Sequence, residues 1–309
     1  MYKNFYIIFI ICFFYSFQGK ISNKHKNKIN IVYAINNKYI DYIFTSLYSL
    51  FENSGNNTIY EIIIQIGNDF EEKNKDLILT LEKHYFNCFI TFIDMKDDFQ
   101  KAVKGILDRS TYYRLKLPIL CPDINRIIHI DSDSIILKDL TELYTLNFED
   151  KYILGRLDQI VDELDRIGVF TKIYINCGII LMDLHNLRKY DYTNKFIDYI
   201  EKHNNVLFLN HHDQTCINYV CYDRIGIFRP KYHMWPFIDE AEVKLFNNKL
   251  RYPYNEKDIL EDYNNPYIIH YPGHFKVKKE YENTKYMLLI NEYKEKANQL
   301  KDSLSLSNN

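Results

Sequence analysis

The stretch Arg126–Leu137 reads RIIHIDSDSIIL, five isoleucines and a leucine interrupted by two aspartates one residue apart, with His129 just ahead of them. The apolar residues belong in a core, where an unpaired carboxylate is costly. In a strand, residues i and i+2 share a face. Asp131 and Asp133 would then present two carboxylates to one point, with Ser132 turned away. Charges that close repel unless a cation lies between them, and oxygen ligands favour Mg²⁺ or Mn²⁺. D-x-D alone is a common chance pattern, usually a solvated loop. The flanking isoleucines place this pair at the end of a buried strand. His129 shares the face, either as a partner of the carboxylates or as a core histidine.

The sequence around this stretch alternates between strand and helix patterns. Ile29–Ala34 reads as a buried strand that ends in the loop Asn36–Tyr39. DYIFTSLYSLFENSG has apolar residues at helical spacing up to Gly55. YEIIIQIG is a strand, EEKNKDLILTLEKHY an amphipathic helix and CFITFIDM a third strand. STYYRLKLPILC predicts a helix that gives way near Pro118. Further on, YINCGIILMDLHNL is a strand entering a turn, TNKFIDYIEKH a helix and HHDQTCINYVC a short helix. NPYIIHYPGHFKVKK is a strand followed by a Gly/Pro loop, and a charged tail from Glu280 predicts a helix and a polar end. The alternation predicts an α/β domain with a mostly parallel, doubly wound sheet flanked by helices. In such sheets ligands bind at the carboxyl ends of strands, where both Asn36–Tyr39 and Asp131–Asp133 fall. No internal repeat or long linker divides the chain, so a single domain is expected.

The chain has 309 residues, 47% hydrophobic and 26% charged, enough for a substantial core. A net charge of -2 provides no basic field, which argues against nucleic acid or an anionic membrane as the main partner. The 28 tyrosines and 20 phenylalanines reflect compositional bias as readily as glycan stacking. Residues 1–20 carry Lys3 ahead of an apolar run, the pattern of a signal peptide or short signal-anchor, and a polar linker follows at 21–29. The leader points to the secretory pathway (ER/Golgi lumen) or secretion, or alternatively to a bacterial enzyme attached to a membrane through its N-terminus. Cys12 lies in the leader; Cys88, Cys121, Cys177, Cys216 and Cys221 follow, with no CxxC or zinc spacing. Cys216 and Cys221 could pair or be packed in a core. Asn56 opens an N-glycosylation pattern that matters only in a glycosylating compartment.

A second candidate constellation is IIHYPGHFKVKK. His270 follows an apolar strand and could complete a metal's coordination. Gly273 permits close backbone approach, and Lys276 could hold a phosphate. An exposed loop with two ordinary histidines, His270 and His274, is the plain alternative.

In order and spacing, IVYAINNKY, STYYRLKL, IIHIDSDSII, YINCGIILMDL, HHDQTCIN and IIHYPGHFK resemble glycosyltransferase family 8 over roughly Asn30 to Lys279. That family includes bacterial lipopolysaccharide galactosyl- and glucosyltransferases and glycogenin. The resemblance implies a GT-A fold across residues 30–279, with 280–309 a C-terminal helix and tail. It implies transfer of glucose or galactose from a UDP-sugar, with retention, to a glycan, glycolipid or glycoprotein acceptor. Mn²⁺ is the implied metal, with Mg²⁺ as a substitute. Asp131, Asp133 and His270 match the metal ligands; Gly273 and Lys276 match the diphosphate grip. Arg114 matches an arginine that contacts donor sugar and phosphate. Asn176 matches an asparagine near the hexose, and Asp213 and Gln214 the pair beneath the anomeric carbon. Ala34, Asn36 and Tyr39 fall in the uridine loop, and Ser132 falls with the donor-binding residues.

Two departures stand out. NNKY replaces the more acidic first loop of many relatives, although Asn36 can still hydrogen-bond a uracil edge. NCG places Cys177 where relatives have a smaller residue, which reads as packing. His211 and His212 look like a metal cluster, but the resemblance assigns their segment to the donor sugar. Asp158 either approaches the acceptor or is a turn residue. Other readings are a glycogenin-like self-glucosylating primer and a non-catalytic binding relative.

Overall fold

The isoleucine-rich runs form the centre of a seven-stranded sheet ordered β3 (Cys88–Asp94), β2 (Thr58–Ile66), β1 (Asn27–Ile35), β4 (Arg126–Ile130), β7 (Ile175–Asp183), β6 (Ile153–Leu157) and β8 (Ile225–Ile227). The structure is a computed structural model that describes residues 27–96, 98–99, 108–158, 173–207, 212–236, 256–272 and 284–306. The leader with Cys12, His211, Gly273, His274 and Lys276 lie outside the described residues. Strands β1 (Asn27–Ile35), β2 (Thr58–Ile66), β3 (Cys88–Asp94) and β4 (Arg126–Ile130) pair in parallel, β1 and β2 in register from Asn27↔Thr58 to Ile35↔Ile66. Strand β7 (Ile175–Asp183) runs antiparallel between β4 and β6 (Ile153–Leu157), and β8 (Ile225–Ile227) adds in parallel to β6. The expected mostly parallel sheet is therefore present, with β7 its one reversed strand.

Side-chain alternation divides the core between the two faces. Ile128 and Ile130 of β4 and Ile179 and Leu181 of β7 pack with α1 (Ile40–Glu52) and α2 (Glu72–His84). Ile127, Ile180 and Met182 face the other way, against α5 (Leu184–Lys189), α6 (Tyr192–Leu207) and α7 (His212–Val220). Burying an isoleucine fully contributes roughly 1.5–3 kcal/mol, so burial on both faces explains why these strands read as nearly unbroken apolar runs. Cys88, Cys121, Cys177, Cys216 and Cys221 are all free and buried, so Cys216 and Cys221 are core packing.

Three local readings are corrected. Arg126–Leu137 is two strands: β4 ends at Ile130, and β5 (Ser134–Ile136) leaves the main sheet to pair antiparallel with β9 (Ile268–His270). Arg109–Lys116 is a 3-10 helix, capped by the Asp108 side chain, which accepts from Ser110 N at 3.0 Å. Pro118 starts the short α3 (Leu117–Leu120), because a missing N–H costs nothing in a first helical turn. Strands β6 and β8 are short and had no clear sequence signature. Among the described residues, no helix is long and apolar enough to cross a membrane.

The small β5-β9 sheet is tied down by α4 (Thr141–Tyr144). The Glu142 carboxylate accepts from Lys231 Nζ at 2.6 Å, from the Tyr232 hydroxyl at 2.7 Å and from the Tyr267 hydroxyl. It thereby joins α4, the 3-10 turn Pro230–Tyr232 and the residue before β9. Helices α8 (Glu256–Asn264) and α9 (Lys285–Leu306) close this side, with Ile259, Tyr263, Tyr286 and Ile290 packed on Ile135 and Ile269.

Hydrogen bonds from Lys231 and Tyr267 bring the Glu142 carboxyl from its ordinary 4.5 down to about 2. A carboxylate with a depressed pKa stabilises the fold above its ordinary value and loses that contribution as pH falls through the folded value. Glu142→Gln is therefore expected to lower stability near neutral pH, and the gap from wild type should close between pH 4.5 and about 2. Urea unfolding across that range checks this; a constant gap would count against it.

Candidate active site

Backbone pairing brings the sequence-distant candidates together. Asp131 N donates to Gly178 O at 2.7 Å, and Tyr271 N donates to Asp133 O at 2.9 Å. Ser134 is paired with His270. The three residues between β4 and β5 thus form a short bend pinned by β7 on one side and β9 on the other. Asp131 and Asp133 converge through this bend and not through strand alternation, which corrects the reason first given for their meeting. His270 Nε2 lies 3.2 Å from Asp133 Oδ1 and 3.8 Å from Asp131 Oδ2. One ligand atom from each of Asp131, Asp133 and His270 falls within 4.8 Å of the others. Burial pushes the Asp131 carboxyl up, against the opposing pull of Arg114 and His270. Two hard oxygen donors and one imidazole nitrogen at this spacing fit a divalent ion such as Mg²⁺ or Mn²⁺. Ser132 is buried in the same bend.

Arg114, on the 3-10 helix, joins this cluster to a second one. Its Nη2 donates to Asp131 Oδ1 at 3.0 Å, and its Nε lies 3.2 Å from Asp213 Oδ2 as an ion pair. Nε donates to Thr111 O at 3.1 Å, and Nη1 to Cys177 O. Burial works against the charge, but the Asp213 and Asp131 carboxylates outweigh it and hold the guanidinium protonated. His129 Nδ1 is 3.2 Å from Arg114 Nη1; burial and this neighbouring cation drive its pKa well down, so it stays neutral. Burial also raises the Asp213 carboxyl against Arg114's pull, and beyond the Arg114 ion pair its Oδ2 accepts no hydrogen bond among the described residues.

In the second cluster the amide side chains are held at both ends. Gln214 Oε1 accepts from Cys177 N at 3.0 Å, while its Nε2 donates to Asp158 Oδ2 at 3.0 Å. Asn176 Nδ2 donates to the same oxygen at 2.9 Å, and its Oδ1 accepts from Gly178 N at 2.9 Å. Asp158, whose role the sequence left open, is thus a buried hub at the end of β6. His212 precedes Asp213 with a φ of 52°, and its Nδ1 is 3.2 Å from the Tyr112 hydroxyl. A non-glycine residue in that region is uncommon, and such conformations gather at functional sites. Burial raises the Cys177 thiol well above its usual range, which fits packing and not nucleophilic chemistry.

The first loop forms the rim. Asn36 Oδ1 accepts from Lys38 N at 2.9 Å as a cap. Asn37 holds the loop to the start of α2, donating to Asp69 O and accepting from Glu71 N and Asn74 Nδ2, each at 2.9 Å. Tyr39 and Tyr42 rings are 5.7 Å apart, and Tyr42 and Tyr271 6.2 Å. Burial and the charges of Asp133 and Asp131 raise the Tyr39 phenol, which places it within the field of the carboxylates. Ala34 is half-buried near the end of β1.

Two neighbours of His270 were missed by sequence reasoning. A Cβ on Gly178 would lie 2.3 Å from His270 Cε1 and 2.7 Å from Nδ1, so only glycine leaves room for the ring. A glycine inside an apolar strand is the signal that could have revealed this. The other is His233, whose Nε2 lies 2.8 Å from His270 Nδ1. Burial, His270 and Arg156 keep His233 neutral.

Comparison with known proteins agrees with this fold. The profile of glycosyl transferase family 8 matches residues 30–277. General stress protein A of Bacillus subtilis (strain 168) is 27% identical over 251 residues, 79% of this chain and 85% of its own length. A lipopolysaccharide 1,2-glucosyltransferase of Escherichia coli is 24% identical over 218 residues, 67% of this chain and 63% of its own length. Among solved structures, the galactosyltransferase LgtC in complex with donor and acceptor sugar analogs superposes with a TM-score of 0.69 at 19% identity, covering 87% of this chain and 96% of that one. This likeness shows the fold, and the GT-A expectation is borne out.

Gly178→Ala is expected to leave the sheet folded while displacing the His270 ring. Affinity for a divalent ion should fall by about tenfold or more, as for other disturbances of a ligand's surroundings. Titration of Mn²⁺ into the folded variant checks this; wild-type affinity would show that the ring has room to give.

Proposed function

The chain belongs to glycosyltransferase family 8, and from that premise we propose that it transfers a hexose from a UDP-sugar to a carbohydrate-bearing acceptor, with retention and with Mn²⁺ as the preferred ion. The observation that carries this reading is the Arg114 bridge. One guanidinium contacts Asp131 of the Asp131–Asp133–His270 cluster and Asp213 beside Gln214. A diphosphate at the first cluster and a hexose at the second would share the bond to be broken.

When bound by Asp131, Asp133 and His270, a divalent ion would neutralise charge on the departing diphosphate. Arg114 holds Asp131 and Asp213 in fixed relation, so charge stabilisation requires little reorganisation. In this reading Asp213 and Asn176 would meet sugar hydroxyls and the positive charge that develops on the ring. Tyr39 offers an aromatic surface to the uracil, and Asn36 a polar edge. Lys276 and Gly273 are assigned to the diphosphate on the family motif alone.

The anchoring of Gln214 supports same-face attack by the acceptor. Its Oε1 is engaged by Cys177 N and its Nε2 by Asp158, and an amide is a weak nucleophile to begin with. The acceptor hydroxyl would enter on the side from which UDP departs and pass its proton toward the leaving phosphate. The relatives' names, a glucosyltransferase and a galactosyltransferase, support glucose or galactose as the hexose.

The test is UDP release with each common UDP-hexose and Mn²⁺. One of UDP-glucose and UDP-galactose is expected to be turned over, with loss on chelation. Asp133→Ala should reduce turnover by about a hundredfold or more, the scale of losing a group that stabilises transition-state charge. Undiminished turnover in Asp133→Ala would sink the metal reading.

A further inference from the structure

Two histidines distant in sequence meet behind the proposed metal site. His270 Nε2 faces Asp133 and Asp131, while its Nδ1 lies 2.8 Å from His233 Nε2, with both rings buried. Backbone pairing fixes the meeting. Met234 N donates to Ile268 O, and His270 N donates to Met234 O, each at 2.8 Å, so residues 233–235 lie along β9. Arg156 Nη1 donates to His233 O at 2.8 Å, and the Arg156 guanidinium sits 3.9 Å from the Trp235 ring centroid. This arginine comes from β6 at the point where its register with β7 shifts.

The His233 ring is fully buried, and its Nδ1 has no hydrogen-bond partner among the described residues. A buried polar atom without a partner is a cost that an apolar side chain would avoid. What the imidazole offers in return is its Nε2 contact to His270. A metal-bound histidine is oriented by the hydrogen bond that its second ring nitrogen donates.

We propose that His233 is a positioning residue for the metal site: its Nε2 accepts the Nδ1–H of His270 and locks that ring with Nε2 toward the ion shared with Asp131 and Asp133. Gly178 borders the same ring on the β7 side and admits it. The inference rests on the divalent-metal reading above.

The test measures Mn²⁺ affinity directly, by the electron paramagnetic resonance signal of unbound Mn²⁺ titrated with the full chain and without donor sugar. His233→Leu fills the space without an acceptor and is expected to weaken binding about ten- to a hundredfold, while His233→Gln, whose carboxamide oxygen can reach the Nε2 position, should stay within about threefold of wild type. Leu equal to wild type, or Gln as weak as Leu, overturns the role of His233 and leaves the metal site standing. Failure of the wild-type chain to bind Mn²⁺ removes the metal reading and this inference together. Should His233→Leu not fold, nitrogen–nitrogen coupling in ¹⁵N-histidine-labelled wild type with Mg²⁺ decides. Coupling between the two imidazoles with the proton on His270 is expected; its absence, or a proton on His233, overturns the proposal.

Discussion

The site depends on one buried guanidinium. Asp131 and Asp213 arise from different halves of the chain; Asp213 is buried and Asp131 half-buried. Without a cation between them, burial would drive them toward protonation. Arg114 contacts both and directs further N–H groups to Cys177 O and Thr111 O. Removing one partner from a buried charged group typically costs about 3–5 kcal/mol, because the other is left uncompensated. Arg114 therefore links folding to chemistry: the network that makes the carboxylates tolerable also sets the separation of the two clusters. The 3-10 helix matters here, because it carries Arg114 on a tight segment braced by the Asp108 cap.

The second cluster follows a similar logic with neutral groups. Amide side chains can rotate end for end, and an unanchored Gln214 would present oxygen or nitrogen indifferently. Asp158 accepts from Gln214 and from Asn176, and the β7 backbone donates to the oxygen of each. Both amides are thus fixed in one sense. Their orientation is decided by a carboxylate at the end of β6 and by strand N–H groups, before any sugar enters.

The central strands were legible because parallel strands buried on both faces leave continuous apolar runs, as in Ile29–Ala34 and Arg126–Ile130. Strand β6 was not, since Gly155 and Arg156 interrupt its pattern, and the three residues of β8 are too few to make one. Asp131 and Asp133 were visible as charges out of place, and His270 became a partner only through the order of motifs along the chain. Pro118 was read as a helix end although the same missing N–H suits a helix start. His233 left no trace in the sequence. Its meaning comes from Met234 pairing with β9, a tertiary event that no local pattern encodes.

Three consecutive residues of β7 touch nearly every part of the site. Asn176 meets Asp158, Cys177 meets Gln214 and Arg114, and Gly178 receives Asp131 N and makes way for His270. A strand has period two, so a slip of one residue would exchange the faces of all three at once. On the proposed function, donor preference and metal binding therefore cannot drift independently through β7. Variation in the proposed nucleotide contacts has its freer route at the rim, where the Asn36–Tyr39 loop is held by side-chain hydrogen bonds of Asn36 and Asn37 and can change without moving the strand that everything else leans on.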